Sequence, residues 1–234
     1  MASIDFNANA QTYGPKNAAE RELLDFVSDG GGSKGKIFGC MMKGANLSVG
    51  NDKPGEEGWT PLMYAFKNRS DEAIEVLLHF NVDIDARTKE GDTALMGVIR
   101  SRRVDTHKKE WEADTDFRLS RQLIRAYEDG MGDINLQNRA GETALIVATK
   151  AGQWDFVSRI LDAGADPFVK DGEGYTAVDY ARATNPESMA HAGSEALRTM
   201  EALASRKQAQ EAHIDAGLPT QSSVAVKKPL SFRK

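Results

Sequence analysis

Cysteine is almost absent from this chain of 234 residues, in which Cys40 is the only one. One thiol cannot form an intramolecular disulfide, and it cannot assemble a cysteine-based zinc site. Histidine is also scarce, and the four that occur are isolated from one another: His79, His107, His191 and His213. We therefore expect a reducing compartment, no cofactor and no metal-binding residues.

Long apolar runs and an excess of basic charge are absent too. No 18 consecutive apolar residues occur, and the N-terminus lacks a charged start followed by an apolar stretch. We expect a cytoplasmic protein without a transmembrane segment, and export by a route that needs no cleavable signal stays open. The 30 basic and 35 acidic side chains leave a net charge of -5, which disfavours general nucleic-acid binding.

Catalytic motifs are equally rare. No Gly-x-Ser-x-Gly sequence occurs, and Cys40 lies in an apolar segment, as a buried thiol would. Residues 30–36, Gly-Gly-Gly-Ser-Lys-Gly-Lys, contain the Gly-x-x-x-x-Gly-Lys part of a phosphate-binding loop, but Ile37 follows where a hydroxyl is needed. We expect no catalytic or cofactor-binding residues, and we keep nucleotide binding at 30–36 as an alternative.

The feature that dominates the sequence is a phrase that occurs four times. It reads Gly-Trp-Thr-Pro-Leu at 58–62, Gly-Asp-Thr-Ala-Leu at 91–95, Gly-Glu-Thr-Ala-Leu at 141–145 and Gly-Tyr-Thr-Ala-Val at 174–178. The spacing is 33 residues, except for 50 between the second and third copies, so one unit carries 17 extra residues. Glycine accepts positive φ and a threonine hydroxyl can cap a helix, so each phrase predicts a turn followed by a helix.

Two short apolar segments follow each phrase. In the first unit they contain apolar residues at helical spacing: Leu62, Ala65 and Phe66, then Ile74, Leu77 and Leu78. A turn such as Gly-Ala-Asp-Pro-Phe at 164–168 ends the unit, since Asp and Asn stabilise tight turns. Each unit is thus predicted to be a pair of helices with one shared apolar face.

The period, the Gly-x-Thr-Pro/Ala-Leu opening and the Gly-Ala-Asp-x-x ending resemble those of ankyrin repeats, most clearly over 56–183. The resemblance implies an all-α ankyrin-repeat solenoid of about five helix-turn-helix units with short hairpin loops. We expect one repeat domain at 17–217, between a flexible N-terminus (1–16) and a disordered basic tail (218–234). Its units are a capping repeat at 17–51, repeats at 55–87, 88–137 and 138–170, and a C-terminal repeat at 171–217.

The same resemblance implies a protein-protein interaction scaffold, acting as adaptor, inhibitor or regulatory subunit, with no enzymatic activity and no small-molecule substrate. In ankyrin proteins the variable contact positions flank the turn glycine and end the first helix. The matching positions give these partner-binding residues: Trp59, Lys67, Glu90, Asp92, Arg100, Glu142, Lys150 and Tyr175. Acidic residues fall on the hairpin side and basic ones on the far edge, which predicts a charge-segregated groove. The alternative is that the charges are merely solvated and the aromatics pack on neighbouring hairpins.

An insertion and a tail complete the expected binding regions. About 13 of the 17 extra residues fall at 101–119, where Arg102, Trp111 and Phe117 are further partner-binding candidates. Docking of these side chains onto their own scaffold is the other reading. The basic end of the chain, 227–234, offers a third hypothesis, in which the tail docks on an acidic partner or an anionic membrane surface.

Overall fold

The computed structural model describes residues 14–101, 120–184, 193–203 and 205. Within these ranges the chain consists of helices, turns and loops, without a β-strand. The helices are α1 (Ala18–Ser28), α2 (Lys34–Met42), α3 (Pro61–Lys67), α4 (Asp71–His79), α5 (Ala94–Ser101), α6 (120–128), α7 (Ala144–Lys150), α8 (Trp154–Asp162), α9 (Ala177–Ala183) and α10 (193–203).

The inner helices form one row. Helices α1, α3, α5, α7 and α9 contact one another in that order, and α4 and α8 pack behind α3 and α7. One continuous hydrophobic core runs through the row, from Leu23 in α1 to Met200 in α10. The expected all-α repeat solenoid is confirmed.

Each inner helix begins as the repeated phrase predicts. Thr60, Thr143 and Thr176 cap α3, α7 and α9, each accepting a hydrogen bond from a first-turn amide. Pro61 occupies the first turn of α3, where its missing N–H leaves no helical hydrogen bond unmade. The turn glycine takes positive φ in all four phrases, between 76° and 90°. The local structure therefore follows from residue chemistry.

Neighbouring hairpins are tied together by backbone hydrogen bonds. The amide of Lys89 donates to the carbonyl of Glu57 at 2.8 Å, and that of Arg139 donates to Glu90 at 3.0 Å. The amide of Gly172 repeats the contact with Ala140 at 2.8 Å. Each turn is thus held in register with the next one along the stack.

The glycine-rich segment 30–36 lies between the end of α1 and the first turn of α2, so it follows a helix and not the β-strand of a phosphate-binding loop. A Cβ at Gly31 would overlap the Phe26 ring, and one at Gly32 would overlap the Ser70 hydroxyl. Lys34 forms an ion pair with Glu75 at 2.7 Å. Close packing therefore accounts for Gly31 and Gly32 without a bound phosphate.

Several expectations fall outside the described ranges. They concern the N-terminus at 1–13, the insertion with Arg102, Trp111 and Phe117, and the tail at 218–234. Among the helices that are described, none is long and apolar enough to cross a bilayer.

The stacking of hairpins predicts a position-dependent cost of replacing the turn glycine. In Gly141→Ala the new methyl group would lie 2.5 Å from the amide nitrogen of Gly172, at a φ of 76°. In Gly174→Ala, at the same position of the last hairpin, it would meet nothing within 4 Å. We expect Gly174→Ala to lower the free energy of unfolding by about 1 kcal/mol, and Gly141→Ala by about 3 kcal/mol because overpacking adds to the strain. Urea denaturation checks this, and equal losses would contradict the close contact between hairpins.

Candidate functional site

The hairpins and the inner helices α3, α5, α7 and α9 meet along one side of the stack, which we call the groove face. Each repeat places two residues there by the same spacing: the one that ends the hairpin and the one eight positions later, at the end of the inner helix. In successive repeats these pairs are Trp59 and Lys67, Asp92 and Arg100, Glu142 and Lys150, and Tyr175 and Ala183. The repeat therefore brings distant parts of the sequence side by side.

The charged members of these pairs form a chain of contacts across two repeats. Arg100 Nε lies 3.0 Å from Asp92 Oδ2, and Arg100 Nη2 lies 2.7 Å from Glu142 Oε2 of the next repeat. Lys150 Nζ continues the chain at 2.7 Å from Glu142 Oε1. Asn138 Nδ2 donates to Asp92 Oδ1 at 2.8 Å and to Glu142 Oε2 at 3.2 Å. We call these five side chains the central network.

Glu142 is the centre of this network and is buried, with 9% of its surface exposed. Burial alone would raise the pKa of Glu142, but the hydrogen bonds from Lys150 and Asn138 outweigh it and hold this pKa below the ordinary value of a glutamate. The hydrogen bond to Glu142 likewise raises the pKa of Lys150. Both groups are therefore charged at neutral pH.

The first repeat uses aromatic rings at the same place. The Tyr64 hydroxyl donates to Glu56 Oε2 and accepts from Asn51 Nδ2, each at 2.5 Å. The Trp59 ring lies 5.3 Å from that of Tyr64, centroid to centroid, and Lys67 Nζ stands 5.0 Å from the Trp59 centroid. Trp59 is thus partly buried against its own repeat, in contact with the Tyr64 ring and with the Lys67 ammonium group, which also lies 5.7 Å from the Tyr64 centroid.

The last repeat carries a second aromatic pair. The Tyr180 hydroxyl donates to Asp171 Oδ2 at 2.6 Å, and Lys150 Nζ stands 4.8 Å from the Tyr180 centroid. The ring of Tyr175 meets that of Tyr180 edge-on at 5.8 Å and is 53% exposed. Tyr175 is therefore the more accessible of the two hairpin aromatics proposed as anchors.

These contacts correct the expectation of a charge-segregated groove. Lys67 pairs with Glu56 at 3.0 Å, and Arg100 and Lys150 pair within the central network, so the acidic and basic rows are joined to each other. Among the described residues, the carboxylates of Glu90 and Glu173 are exceptions, because both are exposed at their hairpins and neither forms an ion pair. The physical reason is that residues eight to eleven positions apart in one repeat come within ion-pair distance once the hairpin folds back on the helix.

A cavity of about 420 Å³ opens on the groove face between α3 and α5. Its walls are mostly apolar: Trp59, Met63, Phe66, Ala94, Gly97 and Val98. Its rim carries the charged residues Lys67, Glu90, Asp92 and Arg100. Five of the residues predicted from the sequence therefore surround one cavity.

Gly97 leaves the α5 wall of the cavity without a side chain. Four residues after the capping threonine, the other inner helices carry Tyr64, Val147 and Tyr180. A Cβ built on Gly97 meets nothing within 4 Å. Sequence reasoning overlooked Gly97, although a comparison of this position between the four phrases would have shown it. Asn138, Tyr64 and Tyr180 were also overlooked, since their roles depend on contacts between segments.

The described residues show little that resembles a reactive centre. No group of three or more His, Cys, Asp or Glu side chains in these ranges is arranged to hold a metal ion. Cys40 is buried, and burial raises the pKa of its thiol.

The helices stack in pairs, and hydrogen bonds between hairpins hold the inner helices in register. This architecture defines a helical-repeat protein. A family model for ankyrin repeats in three copies matches residues 31–109, and one for ankyrin repeats in many copies matches 128–181. The chain belongs to the ankyrin-repeat family, and it is in general terms a protein-protein interaction scaffold.

The chain is also similar to part of a much larger protein. It is 30% identical over 172 residues to the mitochondrial disaggregase of Homo sapiens. The aligned region covers 64% of this chain and 23% of that protein. The mitochondrial disaggregase of Bos taurus is 32% identical over 128 residues, or 53% of this chain and 16% of that protein. The similarity thus spans less than a quarter of the length of these relatives.

The central network predicts an acid-sensitive contribution to stability. The pKa of Glu142 is lowered in the folded state, so its stabilising effect is complete above the ordinary glutamate pKa of about 4.3 and is lost as the pH falls below it. We expect Glu142→Gln to lower the free energy of unfolding by about 2 kcal/mol at pH 7, and the difference from wild type to shrink at pH 3. Urea denaturation at both pH values measures this, with the exposed Glu173→Gln as control. A constant difference would show that the charge of Glu142 is not involved.

The open space at Gly97 predicts a stabilising substitution. Alanine favours an α-helix by about 1 kcal/mol over glycine, and the added methyl group has no neighbour within 4 Å. We expect Gly97→Ala to raise the free energy of unfolding by about that amount. Gly152→Ala also adds its methyl to open space, but at a φ of 67°, and should destabilise. A loss of stability in Gly97→Ala would contradict the cavity.

Proposed function

We propose that this chain binds a protein partner through its groove face and acts as an adaptor, inhibitor or regulatory subunit. The observation that supports this most is the open apolar cavity beside Gly97, set next to a network of paired charges. A cavity with apolar walls and a few oriented polar groups is typical of binding sites. The groove face has both the apolar walls and the oriented polar groups.

The paired charges favour recognition by geometry over long-range attraction. Arg100 is held by carboxylates of two hairpins, and Lys67 and Lys150 each have a carboxylate partner. Side chains that are already ordered lose less conformational entropy when a partner binds. Their remaining N–H donors, at fixed positions, would select a partner with matching acceptors.

The two alternatives draw less support. Nucleotide binding at 30–36 lacks the preceding strand and the hydroxyl residue, and Gly31 and Gly32 have a packing role. Docking through the tail at 218–234 concerns residues outside the described ranges. It is separated from groove binding by deletion of the tail, which is included in the experiment below.

The similarity to mitochondrial disaggregases suggests one class of partner. The name describes proteins that act on aggregated proteins, and this chain resembles them over 64% and 53% of its own length. We propose that a partly unfolded polypeptide, with apolar side chains exposed, is a candidate partner for the groove face. A disaggregase activity of this chain is not implied, because the shared segment is a small part of the relatives.

Affinity capture from the native host lysate tests the groove. We expect the amount of a protein that co-purifies with wild type to fall at least fivefold in the variant Trp59→Ala/Tyr175→Ala, which removes one aromatic ring from each end of the groove face. The matched control is Phe38→Ala/Met42→Ala, which removes two exposed apolar side chains on α2, 48% and 70% exposed. Quantitative mass spectrometry compares the captured proteins, and circular dichroism confirms that both variants are folded.

A chain that lacks residues 218–234 should capture the same partner. Loss of capture in this deletion, with no effect of the groove variant, would assign binding to the tail and refute our proposal. Equal loss in the groove and α2 variants would show that capture depends on general hydrophobicity.

A further inference from the structure

We infer that the cavity beside Gly97 is an anchor pocket for one large apolar side chain of the partner, and that the partner carries a basic residue next to this anchor. The inference rests on the proposed function, since it states what chemistry the groove face recognises. It also makes a narrower claim, which can fail while groove binding itself stands.

The size of the missing group indicates a large side chain. At the register position of Gly97, the first and last repeats place the rings of Tyr64 and Tyr180. Helix α5 has space for a comparable group, since a Cβ on Gly97 has no neighbour within 4 Å. An aromatic ring, leucine or methionine from a partner would therefore fill the volume that the chain leaves empty.

The walls of the pocket are held in place before any partner arrives. Met63, Phe66, Ala94 and Val98 line the cavity and are between 2% and 8% exposed, so each is packed in the core on its other sides. The Trp59 ring contacts both the Tyr64 ring and the Lys67 ammonium group. A preformed apolar pocket of this kind needs little rearrangement and is suited to a single buried anchor.

A glycine in the middle of a helix is itself unfavourable. It costs about 1 kcal/mol relative to alanine, and its φ in α5 is helical, so no backbone conformation requires it. Nor does a close packing contact require it, since the space around it is open. The remaining consequence of glycine at position 97 is the cavity.

The charge at the rim indicates the neighbour of the anchor. Lys67 and Arg100 are paired with carboxylates, whereas Glu90 lines the same cavity and forms no ion pair among the described residues. Its position is fixed, because its backbone carbonyl accepts a hydrogen bond from the amide of Arg139 at 3.0 Å. The unpaired charge at the pocket is therefore negative, and its complement is a lysine or arginine of the partner.

Three small probes test the inference by titration of ¹⁵N-labelled protein: N-acetyl-Trp-Lys-amide, N-acetyl-Trp-Glu-amide and N-acetyl-Ala-Lys-amide. We expect the Trp-Lys probe to shift the amide signals of Gly97 and Val98 and the indole N–H of Trp59, with saturation in the millimolar range. The Trp-Glu probe should bind about threefold more weakly, as an exposed ion pair contributes little. The Ala-Lys probe should cause no saturable shift.

Two variants sharpen the result. Gly97→Leu fills the cavity and should abolish saturable shifts from the Trp-Lys probe; should it not fold, Gly97→Val, the residue of the α7 register position, replaces it. Glu90→Gln should bind the Trp-Lys and Trp-Glu probes equally. Gly152→Ala, remote from the pocket, is the control and should bind like wild type.

Shifts of the Trp-Lys probe that persist in the filled variant, or that map to another surface, would overturn the pocket. Equal affinity of the Trp-Lys and Trp-Glu probes for wild type would overturn the basic neighbour. Failure of all probes, together with loss of partner capture in Trp59→Ala/Tyr175→Ala, would refute the anchor and leave groove binding intact. If the probes bind but Trp59→Ala/Tyr175→Ala captures the partner as well as wild type does, the role of the pocket in partner recognition would be refuted.

Discussion

The burial of each inner helix between its two neighbours is the interaction on which the structure depends. In α7 six consecutive residues, from Ala144 to Thr149, are buried, and in α3 the buried residues run from Pro61 to Phe66. A helix of seven residues cannot cover so many apolar side chains by itself and is too short to be stable alone. Each repeat is therefore stable only because the next one covers it, as is typical of repeat proteins.

The groove face follows from this stacking. Backbone hydrogen bonds between hairpins fix the distance from one repeat to the next, and that distance allows Arg100 to reach the carboxylates of two hairpins. The same regularity makes the exception at Gly97 visible, because α3, α7 and α9 carry the larger side chains of Tyr64, Val147 and Tyr180 at that position. In a regular stack, one small residue on an inner helix thus leaves a space between that helix and its neighbour.

Electrostatics on this face acts over short distances. Most of the groove charges described are compensated within 3.1 Å by a partner on the same surface, so the face presents ordered donors and acceptors more than a strong field. Specificity for a partner then depends on shape and on the few uncompensated groups. This arrangement fits a scaffold that recognises one polypeptide among many similar ones.

The amino-acid sequence alone was enough to determine the repeat, its period, the threonine caps, the positive φ of the turn glycines and the helix pairs. These features depend on residues close together in the chain, where residue chemistry and helical spacing decide the structure. The pairing of Arg100 with Glu142, the burial of Glu142 and the partial burial of Trp59 were decided by the tertiary structure. They join residues of different repeats or depend on how a hairpin folds back on its helix. The cavity at Gly97 belongs to both, because the sequence contains the glycine but only the stacked neighbours surround it with apolar walls.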